Sequence, residues 1–122
     1  MIRQTKQQIS RIGFHYAWAG VCQTFLQHIN FRIHVFISLV VVVAGLWLQI
    51  SLNHWLWLLA AIVWGLTVEL INTAVEATVD LATDKWHPLA KAAKDAAAGA
   101  MLITALGTAV IGSLVFSSYL FS

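Results

Sequence analysis

The sequence predicts an all-α membrane protein: three transmembrane helices behind an N-terminal amphipathic surface helix. Three observations carry that prediction. Of 122 residues, 60% are hydrophobic and only 10% are charged, and the mean hydropathy of +0.79 lies far above that of a soluble domain. Long apolar runs alternate with short polar connections, and a single proline with no Ser/Gly-rich linker leaves one domain over 1–122. All five acidic residues fall between Val68 and Asp95, so the polar chemistry is gathered into one short stretch.

Residues 1–31 carry Arg3, Lys6 and Arg11 together with Ile9, Ile12, Tyr16, Trp18, Val21, Phe25 and Ile29 at mixed helical spacings. This is the pattern of a helix lying on a membrane surface. A cleaved signal is not expected, because the first long apolar run begins only after Arg32 and no small-residue cleavage pattern follows it. Residues 33–50, IHVFISLVVVVAGLWLQI, contain no formal charge and suffice to cross a bilayer as a helix with His34 at the boundary. SLNH at 51–54 is the turn, after which Trp55 and Trp57 fit an interfacial anchor. The second span, 55–82, is apolar as far as Val68 apart from Thr67, and polar from Glu69 onward. TDKWHP at 83–88 is the second connection, with Pro88 suited to a first helical turn because its missing donor costs nothing there. The third span, 89–121, opens on a run of alanines and continues through Gly99, Gly107 and Gly112, small residues that let helices approach closely. Three spans alone enclose little space around so many ionisable groups, so a homo-oligomer is expected.

Charge sets the expected orientation. Arg3, Lys6, Arg11 and Arg32 precede the first span, Lys85, Lys91 and Lys94 flank the second connection, and neither the first connection nor the C-terminal end has a Lys or Arg. The positive-inside rule then places the N terminus in the cytoplasm and the C terminus outside. A net charge of +2 gives no reason to expect a nucleic-acid partner. The lone Cys22 excludes an internal disulfide and a multi-cysteine metal site. No GxxxxGK[ST] loop or kinase-type glycine loop occurs, which excludes the conventional nucleotide-binding folds.

Glu69, Asn72, Glu76 and Asp80 follow one another at spacings of three, four and four, so on a helix they share one stripe. Carboxylates at membrane depth cost about 2.5–3.5 kcal/mol each on insertion scales, and several on one helix call for a compensating role. Glu69, about 21 Å along the helix from Trp55, is the deepest. Desolvation there suits it to accept a hydroxyl proton. Glu76 is a hard oxygen ligand suited to Mg²⁺, and Lys94 offers a point charge to a phosphate. Lys91 either assists Lys94 or pairs with Asp95 one turn on. Asn72 either orients its neighbours or binds substrate, and Asp80 is either a site residue or a solvated interfacial one. A small oligomeric cation or proton carrier using Glu69, Glu76 and Asp80 as a relay fits the same residues. His15, His34 and His54 have no HExxH-like pairing and are assigned to interfaces.

The run from Glu69 through Asp80, ELINTAVEATVD, and the run from His87 through Asp95, ending Ala93-Lys94-Asp95, resemble the bacterial membrane-integral diacylglycerol kinase and undecaprenol kinase family. Weaker likeness extends to Tyr16-Ala17-Trp18-Ala19-Gly20 and to Asn30-Phe31-Arg32-Ile33-His34, so the resemblance covers nearly the whole chain. It implies a homotrimer in the bacterial cytoplasmic (inner) membrane, with a composite site where one protomer's surface helix meets another's bundle. It also implies transfer of the γ-phosphoryl group of Mg-ATP to the hydroxyl of a membrane lipid, diacylglycerol or undecaprenol. By position, Glu69 is then the catalytic base, Glu76 a metal ligand, Lys94 a phosphate contact and Asp95 a nucleotide contact. Asn72 and Asp80 support the site, Tyr16 faces the nucleotide, and the backbone near His87 lies beside the base or ribose. One position departs from the family: where a glutamate usually stands three residues before Phe31, this chain has His28. Imidazole is a poor oxygen substitute for Mg²⁺, which implies that water or Asp80 completes the metal shell beside Glu76, that metal and nucleotide affinity are reduced, or that activity is altered, in the limit to a catalytically silent relative.

Overall fold

The computed structural model describes residues 6–122, with side chains from Gly13 onward. Arg3, and the side chains of Lys6, Ile9, Arg11 and Ile12, lie outside the described residues. Four helices follow in order: α1 (Lys6–Gln27), α2 (Ile29–Trp47), α3 (Leu52–Ala82) and α4 (Pro88–Leu120). The last three are each long and apolar enough to cross a membrane. Large side chains such as Val43, Trp47, Val63, Ile103 and Leu114 stay exposed on their outer faces, as expected where the surrounding solvent is lipid rather than water.

The helix boundaries have local causes. α1 ends and α2 begins across His28 alone, whose extended backbone (φ −115°, ψ 113°) turns the chain between them. The helix that carries the first span therefore starts at Ile29, four residues before Ile33. It ends at Trp47 rather than Ile50, because Gln49 adopts a left-handed φ of 52° and closes a Schellman turn. In that turn the Ile50 N–H donates to the Gly45 carbonyl at 3.2 Å and the Gln49 N–H to Leu46 at 3.3 Å. α3 starts before Trp55 because Ser51 caps it, its hydroxyl accepting from the His54 N–H at 3.4 Å. Leu52–His54 are thus helical rather than a turn. Pro88 opens α4, as its restricted φ favours, and His87 caps it through a ring nitrogen that accepts from the Leu89 N–H at 3.1 Å.

α3 and α4 form the main pair, α2 packs on α3, and α1 lies against α2 and α3. Trp64 Nε1 donates to the buried Thr104 Oγ1 at 3.2 Å, tying α3 to α4 at apolar depth. The tightest packing sits at the end nearest the α2–α3 turn, where Ile50, Leu58 and Val115 form a buried cluster ringed by Trp55, Ile111 and Phe116. Trp55 thus packs on this cluster with part of its surface still open, while Trp57 stays exposed. Tyr119 closes this end: its hydroxyl accepts from the Ser51 N–H at 2.8 Å and lies 2.6 Å from His54 Nδ1.

Helix length then decides where the chain protrudes. At 1.5 Å per residue, α2 spans about 28 Å, close to the hydrocarbon thickness, whereas α3 and α4 reach about 46 and 50 Å. Since α2 and α3 are tied at the Ser51 end, the excess must project at the Ala82–Pro88 end. Closure at the Ser51 end depends on Gly45, where an added Cβ would come within 2.8 Å of the Trp55 ring and 3.2 Å of Ile50. A Cβ on Gly65, Gly99, Gly107 or Gly112 meets open space within the chain. Gly45→Ala is expected to destabilise the protein by about 1–3 kcal/mol, read as a lowered unfolding midpoint in detergent, whereas Gly107→Ala leaves the fold of the single chain intact.

Candidate functional site

The polar stripe of α3 faces the start of α2 and the first turns of α4. Its turn-by-turn spacing carries Glu69, Asn72 and Glu76 onto one polar cavity of about 290 Å³, which Asn30, Ile33 and His34 of α2 and Ala98 and Met101 of α4 complete. Glu69 is 3% exposed. Its nearest opposite charge, when the imidazole is protonated, is His34, with Nε2 3.9 Å from Oε2. Asn72 donates from Nδ2 to Glu76 Oε1 at 3.3 Å, so the amide orients the outer carboxylate rather than the deep one. Because α2 begins at Ile29, His34 lies about 8 Å inside its start. Glu69 lies level with it, beside the first candidate span.

A second cavity, of about 640 Å³, lies toward the protruding end and gathers Asp80, Lys91, Lys94, Asp95 and His87. Lys94 Nζ donates to Asp80 Oδ1 at 2.5 Å, joining α3 to α4 across the connection, while Lys91 pairs with Asp95 along α4. An ammonium group carries three donors, so Lys94 keeps two for an incoming anion while Asp80 occupies the third. Asp80 thus belongs with the cations and not with Glu76. His87 lines this cavity at the edge of α4 while its ring Nδ1 accepts from the Leu89 N–H. Tyr16, on α1, is 69% exposed and lines neither cavity.

A third cavity, apolar and of about 590 Å³, runs between α2, α3 and α4 past Ile37, Val41, Ile62, Leu66 and Phe116. His34 lines this cavity and the polar one alike. The sequence signal for that position was faint: a lone histidine at the edge of an apolar run reads as a boundary marker. Its partner becomes visible only when α2 is docked on α3. Three environments therefore follow one another along the bundle: apolar, acidic, and one of mixed charge with three lysines and three aspartates.

The donor set limits the metal chemistry. Among the described residues of the single chain no three His, Cys, Asp or Glu side chains converge on one point. Glu76 fits a hard cation that takes most of its shell from water and phosphate oxygens. The half-buried His28 lies outside the set of residues that line the polar cavity.

Comparison with known proteins adds a second line of evidence. A family profile described as prokaryotic diacylglycerol kinase matches residues 15–116. An undecaprenol kinase from Bacillus subtilis is 43% identical over 104 residues, which is 85% of each chain. A diacylglycerol kinase from Synechocystis is 44% identical over 108 residues, covering 83% of this chain and 58% of that protein. A diacylglycerol kinase from Escherichia coli is 27% identical over 104 residues, 85% of each chain.

Glu69 sits buried with one partner at long range, an arrangement that costs stability. Glu69→Gln is expected to raise the unfolding midpoint of the purified protein, by an amount on the order of 1–3 kcal/mol. A lowered midpoint would mean that the carboxylate holds the bundle together instead.

Proposed function

We propose that this chain, which belongs to the prokaryotic diacylglycerol kinase family and is a membrane-lipid kinase, transfers the γ-phosphoryl group of Mg-ATP to the hydroxyl of diacylglycerol or undecaprenol with Glu69 as general base. The observation that carries this reading is the order of environments along the bundle. A buried carboxylate opens into a polar cavity with an apolar cavity on one side and, toward the protruding end, one lined by three lysines and three aspartates. A lipid alcohol reaches Glu69 from the bilayer and ATP reaches Lys94 from water, so the two substrates meet near Glu76.

In this reading the lipid oxygen attacks the γ-phosphorus, its proton passes to the Glu69 carboxylate, the bond from phosphorus to the β,γ-bridging oxygen breaks, and ADP leaves. Lys94 and Asp95 hold the nucleotide, Asp80 orients Lys94, and Asn72 keeps Glu76 turned toward the polar cavity. Glu76 holds Mg²⁺, which when bound neutralises phosphate charge. Such a reaction asks for positioning and charge neutralisation more than for a particular fold. The Arg/Lys distribution supports a cytoplasmic N terminus, which puts both polar cavities on the ATP-containing side. Tyr16, which lines neither cavity of its own chain, reaches a nucleotide if α1 serves a neighbouring bundle, and the open space beside Gly99, Gly107 and Gly112 suits close helix contact between copies. Both features support the homotrimer. A carrier is less well supported, because Trp55–Val68 holds no acidic side chain to continue a relay.

Purified protein supplied with Mg-[γ-³²P]ATP and a panel of lipid alcohols is expected to label diacylglycerol or undecaprenol, and Glu69→Gln to lower kcat by about 10²–10⁴-fold. Labelling that persists in Glu69→Gln would remove the assigned base, and labelling of neither lipid would remove the assigned substrates. His28→Glu, which restores a carboxylate near the start of α2, is expected to lower the Mg²⁺ concentration needed for half-maximal rate. An unchanged Mg²⁺ titration would show that position 28 takes no part in metal binding.

A further inference from the structure

Glu69 as a base must present one particular oxygen to the lipid hydroxyl, yet its own helix supplies nothing to hold it. Asn72, the nearest amide on the stripe, donates to Glu76. A carboxylate rotates broadly about its last bond, so an unheld one spends much of its time misdirected. The group placed to prevent this comes from α2. His34 Nε2 stands 3.9 Å from Glu69 Oε2, the Glu69 side chain is 4% exposed and that of His34 31% exposed. Among the described residues the imidazole makes no shorter polar contact. The separation exceeds a hydrogen bond by about 1 Å, a gap that a small torsional change closes and of the kind that tightens when substrate binds.

We propose that His34 is a positioning residue for the base: with its proton on Nε2 it donates to Glu69 Oε2 and so turns Oε1 toward the lipid hydroxyl. The proposal rests on the reading of Glu69 as general base. His34 lines both the apolar cavity and the polar one, so the same ring marks where an alkyl chain gives way to a hydroxyl. No proton is transferred to or from the ring in this role. Its contribution is to orientation, and it should be felt in turnover rather than in nucleotide binding, because Lys94 and Asp95 line a separate cavity.

Steady-state kinetics in lipid nanodiscs tests this with His34→Leu, which removes the donor, and His34→Gln, whose amide nitrogen retains one at similar reach. His34→Leu is expected to lower kcat by roughly 10- to 100-fold with KM for ATP little changed, and His34→Gln to recover most of that loss. Should His34→Leu fail to assemble, His34→Asn takes its place, its shorter amide falling short of Glu69. In a Glu69→Gln background, removing the His34 donor is expected to cost nothing further, since the two side chains act as one unit. The proposal is overturned if the donor-less variant keeps its parental kcat, if His34→Gln falls as low as that variant, or if the losses from His34 and Glu69 multiply. A parental kcat in Glu69→Gln alone identifies a different failure, that of the base itself.

Discussion

The rest of the structure depends on one costly placement, a carboxylate buried inside an apolar helix bundle. A charge there has lost most of its water, and among the described residues His34 is the one ionisable partner within 4 Å. Proteins retain such a group when its reactivity is needed, because an apolar residue of the same size would pack better. Much of the surrounding architecture serves to make that location tenable. The outer carboxylate is hydrogen-bonded by Asn72, Asp80 is neutralised by Lys94, and every acidic group other than Glu69 lies farther toward the protruding end of the bundle.

The two ends of the bundle are built differently, and the difference suits the chemistry. Around the α2–α3 turn, Gly45 admits the Trp55 ring, Ile50 folds back over the end of α2, and Tyr119 joins α4 to Ser51 and His54. Aromatic packing and short hydrogen bonds leave little freedom there. At the other end the contacts are ion pairs between exposed side chains, which yield readily to a competing anion or cation. A closed end thus fixes the helices relative to one another, while the working end keeps groups that exchange partners.

Periodicity and charge made much of this legible in the sequence. The 3-4-4 spacing of Glu69, Asn72, Glu76 and Asp80 holds on any helix, so their shared face needed no tertiary information. Three long apolar runs separated by short polar connections likewise announced the helical order, and the two runs resembling lipid kinases pointed to the family. What stayed hidden was set by partners distant in sequence or by a single torsion. His34 looked like a boundary residue because Glu69 is on another helix. Asp80 looked like a possible companion to Glu76 until Lys94, fourteen residues on, was seen to pair with it. The early end of α2 follows from one left-handed glutamine, a conformation that glycine would have signalled and glutamine does not. The early start of α3 was readable in principle, since Ser51 has the chemistry of a cap.

The corner at His28 has a mechanical consequence. One residue, held by a hydrogen bond from its N–H to the Thr24 carbonyl at 2.9 Å, separates a helix of 22 residues from one of 19. A linker of several residues would let the two pivot independently, whereas a one-residue elbow makes them a bent lever. Any tilt that α2 adopts to match a thinner or thicker bilayer is therefore passed to α1, and a force on α1 in turn leans on the segment that carries His34.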